Sequence, residues 1–157
     1  MICKNNHFCK VDPNHLRDGH ALCNICIGSG GEQLVVAALE SLGLEYVSQY
    51  KLPGKTLRYD FATGIDGLDT IIEWDGPQHF QFTKHFHQTE DGFKQSQYRD
   101  CEKTRDAVDL GCKMIRIDYT MGSKSVDQIA EFIFLALEMD ERLLVSNADM
   151  YQWLVNY

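Results

Sequence analysis

The chain has 157 residues, 44% of them hydrophobic and 24% charged, the composition of an ordinary globular protein rather than a disordered or membrane-spanning one. Lys and Arg number 15 against 23 Asp and Glu, for a formal charge of −8, which excludes a global basic field for nucleic acid; phosphate binding has to be local or assisted by metal ions. No apolar run reaches the roughly 18 residues of a membrane span and the N-terminus lacks the apolar stretch of a signal peptide, so the chain reads as soluble and intracellular, in cytoplasm or nucleus.

Four cysteines crowd the start of the chain: Cys3, Cys9, Cys23 and Cys26. Without an export signal, such crowding favours metal over disulfides. Cys23-Asn24-Ile25-Cys26 lets two thiolates converge on one tetrahedral ion, and Cys3-x-x-x-His7 offers a second chelate, with Cys9 and His15 as competing ligands. The segment resembles small zinc ribbons of the form Cys-x-x-x-His, a Pro-Asn step, a Gly, then Cys-x-x-Cys, here Cys3, His7, Pro13-Asn14, Gly19 and Cys23/Cys26. A closed Zn²⁺ site of this kind folds a short segment and leaves no open position for catalysis. The reading divides the chain into a zinc ribbon, 1–28, and a main domain, 31–157, across the flexible joint Gly28-Ser29-Gly30-Gly31.

Beyond the joint, Leu34, Val35, Ala38, Leu39 and Leu42 recur at helical spacing up to Gly43. Strands are expected over 46–52, 57–62 and 69–74, then a long loop without a period over 77–92, rich in Gln and His. A polar helix follows over 93–110, a buried strand over 112–117 and a strongly apolar helix over 126–139. A short terminal helix over 147–157 would carry Tyr151, Trp153 and Leu154 for packing or for a homodimer contact. Helix, three strands, helix, strand, helix is an α/β layer fold, with an antiparallel meander first and a helical crossover to the last strand.

Asp66-Gly67, the favoured centre of a two-residue hairpin, fixes the register of the second and third strands. Asp60 then faces Glu73, Arg58 faces Asp75, and these four project to one side, with Tyr59, Phe61, Ile72 and Trp74 on the other. Like charges directly opposite need a compensating cation: Arg58 supplies part, and Mg²⁺ or Mn²⁺ held by Asp60, Glu73 and Asp75 supplies more. The alternative is a solvated acidic face without metal. His79, four residues past Asp75 and beyond the Gly76-Pro77 turn, is placed to carry a proton.

Gly31-Glu32, Arg58-Tyr59-Asp60-Phe61, Ile72-Glu73-Trp74-Asp75-Gly76-x-Gln78-His79-Phe80, Asp100-x-x-Lys103-x-x-x-Ala107-x-x-x-Gly111 and Met114-Ile115-Arg116-Ile117-x-Tyr119 together resemble the PD-(D/E)xK nuclease superfamily. The likeness is greatest to the branch of very-short-patch repair and phage homing endonucleases, which often carries a zinc ribbon ahead of the nuclease core. It implies a restriction-endonuclease-like mixed sheet flanked by helices, encoded by a virus or phage among other sources. It also implies a metal-dependent endonuclease acting on DNA in repair, recombination or mobile-element and viral DNA processing. The superfamily's third motif is Glu-x-Lys, and this chain has Glu73-Trp74-Asp75. The resemblance gives the missing lysine's role to His79, with Lys103 from the next helix as the alternative.

In that mechanism Asp60 holds the metal with Glu73 or Asp75, Glu32 binds a water or simply stabilises its helix start, and His79 takes or relays the proton. Arg58, Lys84, Lys94, Arg99, Lys103 and Arg116 would contact phosphates, helped by Lys4, Lys10, Arg17 and His20 of the ribbon, in weak, salt-sensitive binding. Two other readings compete: a catalytically inactive nucleic-acid-binding module of nuclease-like fold, and a hydrolase of small phosphoesters with the 77–92 loop as its lid.

Overall fold

The computed structural model describes residues 28–64 and 69–156. The ribbon ligands Cys3, His7, Cys23 and Cys26 and the Asp66-Gly67 turn lie outside the described residues.

Helix α1 (Gly30–Ser41) starts where Ser29 and Glu32 exchange side-chain and backbone hydrogen bonds in a capping box, and its apolar stripe buries Val35, Val36, Ala38 and Leu39. The chain reverses at Gly43, whose φ of 68° is glycine territory. Strands β1 (Tyr46–Tyr50), β2 (Tyr59–Thr63) and β3 (Thr70–Asp75) form the antiparallel meander. A 3₁₀ turn (Pro77–His79), a short helix α2 (Lys84–His87) and the long α3 (Glu90–Asp109) then lead to β4 (Lys113–Asp118), parallel to β3. Another 3₁₀ turn (Tyr119–Ser123), α4 (Val126–Glu138), β5 (Leu143–Val145) and a last 3₁₀ turn (Gln152–Asn156) complete the order, with β5 parallel to β4. Among the described residues the strands make one five-stranded mixed sheet in sequence order.

Both faces of this sheet are covered. Phe61, Ile72, Ile115 and Ile117 pack with Val35, Leu39, Ile129 and Ile133 of α1 and α4. Ala62, Ile71 and Met114 pack with Tyr59, Leu52 and Ala107 of α3. By the two-residue alternation of strands, Glu73, Asp75 and Arg116 therefore belong to the α3 face.

Three expectations need correction. The stretch 77–92 is not a structureless loop: it folds into the Pro77–His79 turn and α2, and α3 begins at Glu90 because the Thr89 hydroxyl accepts the Gly92 N–H and Glu90 and Asp91 fill the first turn. Tyr59 does not share a face with Phe61: β1 and β2 keep their register, but Gln49 adopts φ 53°, and between the Ser48–Phe61 and Tyr50–Tyr59 pairs both strands turn over. The C-terminal segment forms only a 3₁₀ turn over Gln152–Asn156 in place of a helix over 147–157, while Tyr151 is buried in edge contact with the Phe80 ring at 5.1 Å, the packing role set out above. No described helix is long and apolar enough to cross a membrane.

Candidate active site

The β2–β3 ladder runs through Thr63–Thr70, Ala62–Ile71 and Phe61–Ile72, the register set out above, and stops there. At the next position side chains replace it: the Asp60 N–H donates to Glu73 Oε1 at 3.2 Å, and the Trp74 N–H donates to Asp60 Oδ2 at 2.8 Å. These reciprocal bonds bring two carboxyl groups of adjacent strands together where the strands turn over.

Helix α3 supplies the opposing charge. Its sheet-facing stripe, Asp100, Lys103, Thr104 and Ala107, follows i, i+3, i+4, i+7 spacing, polar beside the carboxylates and apolar towards Met114. Lys103 Nζ lies 2.8 Å from both oxygens of Glu73 and 5.0 Å above the Tyr59 ring, whose hydroxyl donates to the Lys103 carbonyl at 2.9 Å. Glu73 is nevertheless pushed above the usual carboxylate range, because burial outweighs Lys103 and Arg116. Asp60 rises to about 8, from burial first and then the charges of Glu73 and Glu32, against the Trp74 N–H and Lys103. Burial thus keeps the proton on Asp60 at neutral pH, and Lys103 is the cation paired with Glu73.

A second cluster adjoins it on the same face. Arg116, wholly buried, donates from Nε to Asp75 Oδ2 at 2.7 Å and from Nη2 to Asp75 Oδ1 at 2.5 Å, while the Tyr151 hydroxyl donates to Asp75 Oδ2 at 2.7 Å. Nη1 of Arg116 reaches the Thr104 hydroxyl at 3.0 Å and the Asp100 carbonyl at 3.3 Å. His79, its side chain 21% exposed, sits at the rim with Nδ1 2.7 Å from Asp100 Oδ2 and 3.6 Å from Asp75 Oδ1. Burial pulls the His79 pKa down, but the Asp100 hydrogen bond and the two aspartate charges outweigh it and raise the pKa; Asp100 is correspondingly lowered against its own burial. With Nδ1 committed to Asp100, Nε2 is the nitrogen available for proton exchange.

The structure thus brings Asp60, Glu73 and Lys103 together, and His79 with Asp75 in the neighbouring cluster. It alters three assignments. Asp75, wholly buried and held bidentately by Arg116, is not open to a metal ion. Arg116 is not a phosphate contact, since none of its surface reaches solvent. Arg58 is exposed just before β2 and does not face Asp75, whose cation comes from β4 instead. Glu32 caps its own helix through the Ser29 N–H at 3.1 Å, while its charge still reaches Asp60. Lys84 and Arg99 are exposed on α2 and α3. Sequence reasoning gave neither Asp100 nor Tyr151 a part in the site; Asp100 stands in the quoted motif, whereas nothing in the sequence marks Tyr151 as a partner of Asp75.

Among the described residues no group of three or more His, Cys, Asp or Glu is arranged to hold a metal ion. Asp60 and Glu73 are the carboxylates that could hold a hard divalent cation, which commonly takes one or two carboxylates and completes its shell with waters and phosphate oxygens. A cavity of about 400 Å³, lined by Asp69, Thr70, Lys113 and Arg142 among others, lies at the opposite ends of β3 and β4 from these carboxylates.

The chain is 38% identical over 50 residues to an uncharacterized protein, 307L, of Invertebrate iridescent virus 6; the match takes in 32% of this chain and only 25% of that protein's length. No family model matches the sequence. No solved structure matches it either.

Proposed function

We propose that this chain is a metal-dependent DNA endonuclease of the PD-(D/E)xK superfamily, with a restriction-endonuclease-like fold behind an N-terminal zinc ribbon. The observation that carries the reading is the Asp60–Glu73 pair at the break in the β2–β3 ladder, with Lys103 laid across Glu73.

Asp60 and Glu73 would hold Mg²⁺ or Mn²⁺. When bound, the ion supplies charge neutralisation at the phosphate and acidifies a water molecule. Lys103, shared between Glu73 and the substrate, would hold a phosphate oxygen or the attacking water, the role the Glu-x-Lys motif gives to its lysine. This favours Lys103 over His79 for that position, since Lys103 is the cation beside Asp60 and Glu73. His79, holding its proton to higher pH than a free imidazole, would donate to the leaving oxygen, oriented by Asp100. Arg58, Lys84 and Arg99 would contact the DNA backbone. Cys3, His7, Cys23 and Cys26 would hold one structural Zn²⁺. A viral origin accords with the partial likeness to the iridescent virus protein.

The inactive binding module stays as a second reading because Lys103 already covers both oxygens of Glu73, so that the ion pair could replace the metal. Incubating the purified protein with supercoiled and branched DNA in Mg²⁺ or Mn²⁺ separates the two. The nuclease reading expects nicking by the wild type and a loss of at least about 100-fold in Asp60→Asn, Glu73→Gln and Lys103→Ala, comparable to removing one electrostatic contributor. Equal cleavage by all variants assigns the activity to a contaminant, and DNA binding without cleavage by the wild type supports the module. Zinc content in wild type and Cys23→Ser tests the ribbon; about one ion per chain is expected for one closed site.

A further inference from the structure

Three large aromatic rings stand in solvent on the segment that follows His79: Phe86 is 62% exposed, Tyr98 48% and Phe82 44%. Apolar rings on a water-facing surface mark a contact site when they cluster, and Phe82 and Phe86 stand four residues apart, just before α2 and within it, each against a histidine ring. The rim histidine is tied to α3 at two points, through Asp100 and through Gln97, whose Nε2 donates to the His79 carbonyl at 3.3 Å. Phe82 lies against the buried His87 ring at 6.0 Å, and His87 in turn packs on Phe93 in the first turns of α3 at 4.9 Å. The Thr83 N–H donates to His87 Nδ1 at 3.0 Å, so His87 works as a peg that fastens α2 to α3. Phe86 then stands outward with the His85 ring against it at 4.9 Å. The rings are therefore held on a fixed corner rather than carried on a free strand.

Cations interleave them. Lys84, Lys94 and Arg99 are exposed on the same two helices, and Lys94 and Tyr98 share one stripe of α3 at i, i+4 spacing. Glu90 and Asp91 also lie here, in the first turn of α3, where they stabilise the helix start. In a chain of net charge −8, Lys84 thus stands between Phe82 and Phe86 in the chain, with Lys94 and Arg99 exposed on the helix that follows.

The geometry points to the α2–α3 corner as a stacking platform for unpaired bases, so that the preferred substrate is DNA with a single-stranded, flapped or bulged segment rather than intact duplex. An aromatic face can stack only on a base whose own face is free, and a paired, stacked duplex hides those faces, whereas lysines beside rings follow a single strand's phosphates. The inference rests on the nuclease reading only for what happens to the strand once it is bound.

Fluorescence anisotropy of the full chain with labelled DNA in EDTA tests the platform without cleavage. The probes are an oligothymidylate, a blunt duplex of equal length and a duplex with a single-stranded flap. Expected are tighter binding of the oligothymidylate and the flap than of the duplex, and about tenfold weaker binding of both in Phe82→Ala and in Phe86→Ala, in keeping with the worth of one stacked base. Duplex binding should be unchanged in both variants, and Phe134→Ala, on the exposed side of α4, should leave all three probes unaffected. Equal affinity for the oligothymidylate and the duplex overturns the proposal, as does unchanged binding in both phenylalanine variants or binding of no DNA at all. If the phenylalanines govern binding but no DNA is cut in Mg²⁺, the platform stands and the nuclease reading falls. If DNA is cut in an Asp60-dependent way but the phenylalanines do nothing, the reverse holds.

Discussion

Replacing Arg116 by methionine separates a buried structural role from a phosphate-binding one. Arg116 is wholly buried and gives Asp75 two charge-assisted hydrogen bonds, at 2.7 and 2.5 Å, with further bonds to Thr104 and the Asp100 carbonyl. Methionine fills most of the volume but leaves the Asp75 carboxylate buried, with the Tyr151 hydroxyl at 2.7 Å and His79 at 3.6 Å as its remaining polar neighbours. Breaking one side of a buried ion pair costs about 3–5 kcal/mol, far more than a surface pair, because the surviving charge keeps its desolvation penalty. For a chain of this size each kcal/mol moves Tm by about 2–4 °C, so a fall of about 6–20 °C is expected. Urea and thermal unfolding followed by circular dichroism measure it. Adding Asp75→Asn to Arg116→Met should recover part of the loss, since the stranded charge is then gone. A stability loss under about 1 kcal/mol, the range of exposed pairs, together with weakened DNA binding, would refute the burial argument and return Arg116 to the phosphate contacts.

Asp60 titrates from a folded value of about 8 against an ordinary 3.8, so across that window the folded chain keeps a proton the unfolded chain has lost, and stability falls as pH rises through it. Asp60→Asn should therefore gain in Tm over wild type between those limits and hold the gain above them, while Mg²⁺ stabilises only the wild type; parallel Tm–pH curves contradict this. Asp100→Asn removes the hydrogen bond and charge that raise His79, so the alkaline limb of the cleavage pH profile should move to lower pH with little change in metal requirement; an unmoved limb excludes His79 as the proton donor. A Cβ on Gly31 would lie 1.8–2.4 Å from atoms of the Trp74 indole, whereas one on Gly30 meets nothing within 4 Å. Gly31→Ala should cost about 1–3 kcal/mol in urea unfolding by overpacking, and Gly30→Ala should be neutral or slightly stabilising; equal effects would deny the close helix–strand approach.

The Asp-Gly signal makes the strand register legible: it pairs Phe61 with Ile72, as the sheet does, and sets Asp60 beside Glu73. What alternation could not supply is its own interruption. Nothing in Gln49 or Asp60 signals that both strands turn over there, since positive φ at a glutamine is imposed by tertiary packing rather than local preference. The cations were misassigned for a related reason. Extending the hairpin register past Asp60 suggests Arg58 for Asp75, but the ladder ends at Phe61–Ile72, the parallel pairing of β3 with β4 puts Arg116 next to the acidic strand, and only the α3 crossover delivers Lys103 to Glu73. The α2 segment was hidden by its Gln, His and Gly content, and its order comes from His87 packing rather than from helix propensity. β5 is three residues long, too short for any periodic signal.

Titrating the protein with Mn²⁺ and reading the free ion by electron paramagnetic resonance, for wild type and Asp60→Asn at pH 8, tests whether the Asp60–Glu73 pair is a site for a hard divalent cation. One ion per chain in the wild type, weakened at least about tenfold by loss of the carboxylate, is the predicted result. Mn²⁺ bound equally by both proteins, or by neither, would contradict it.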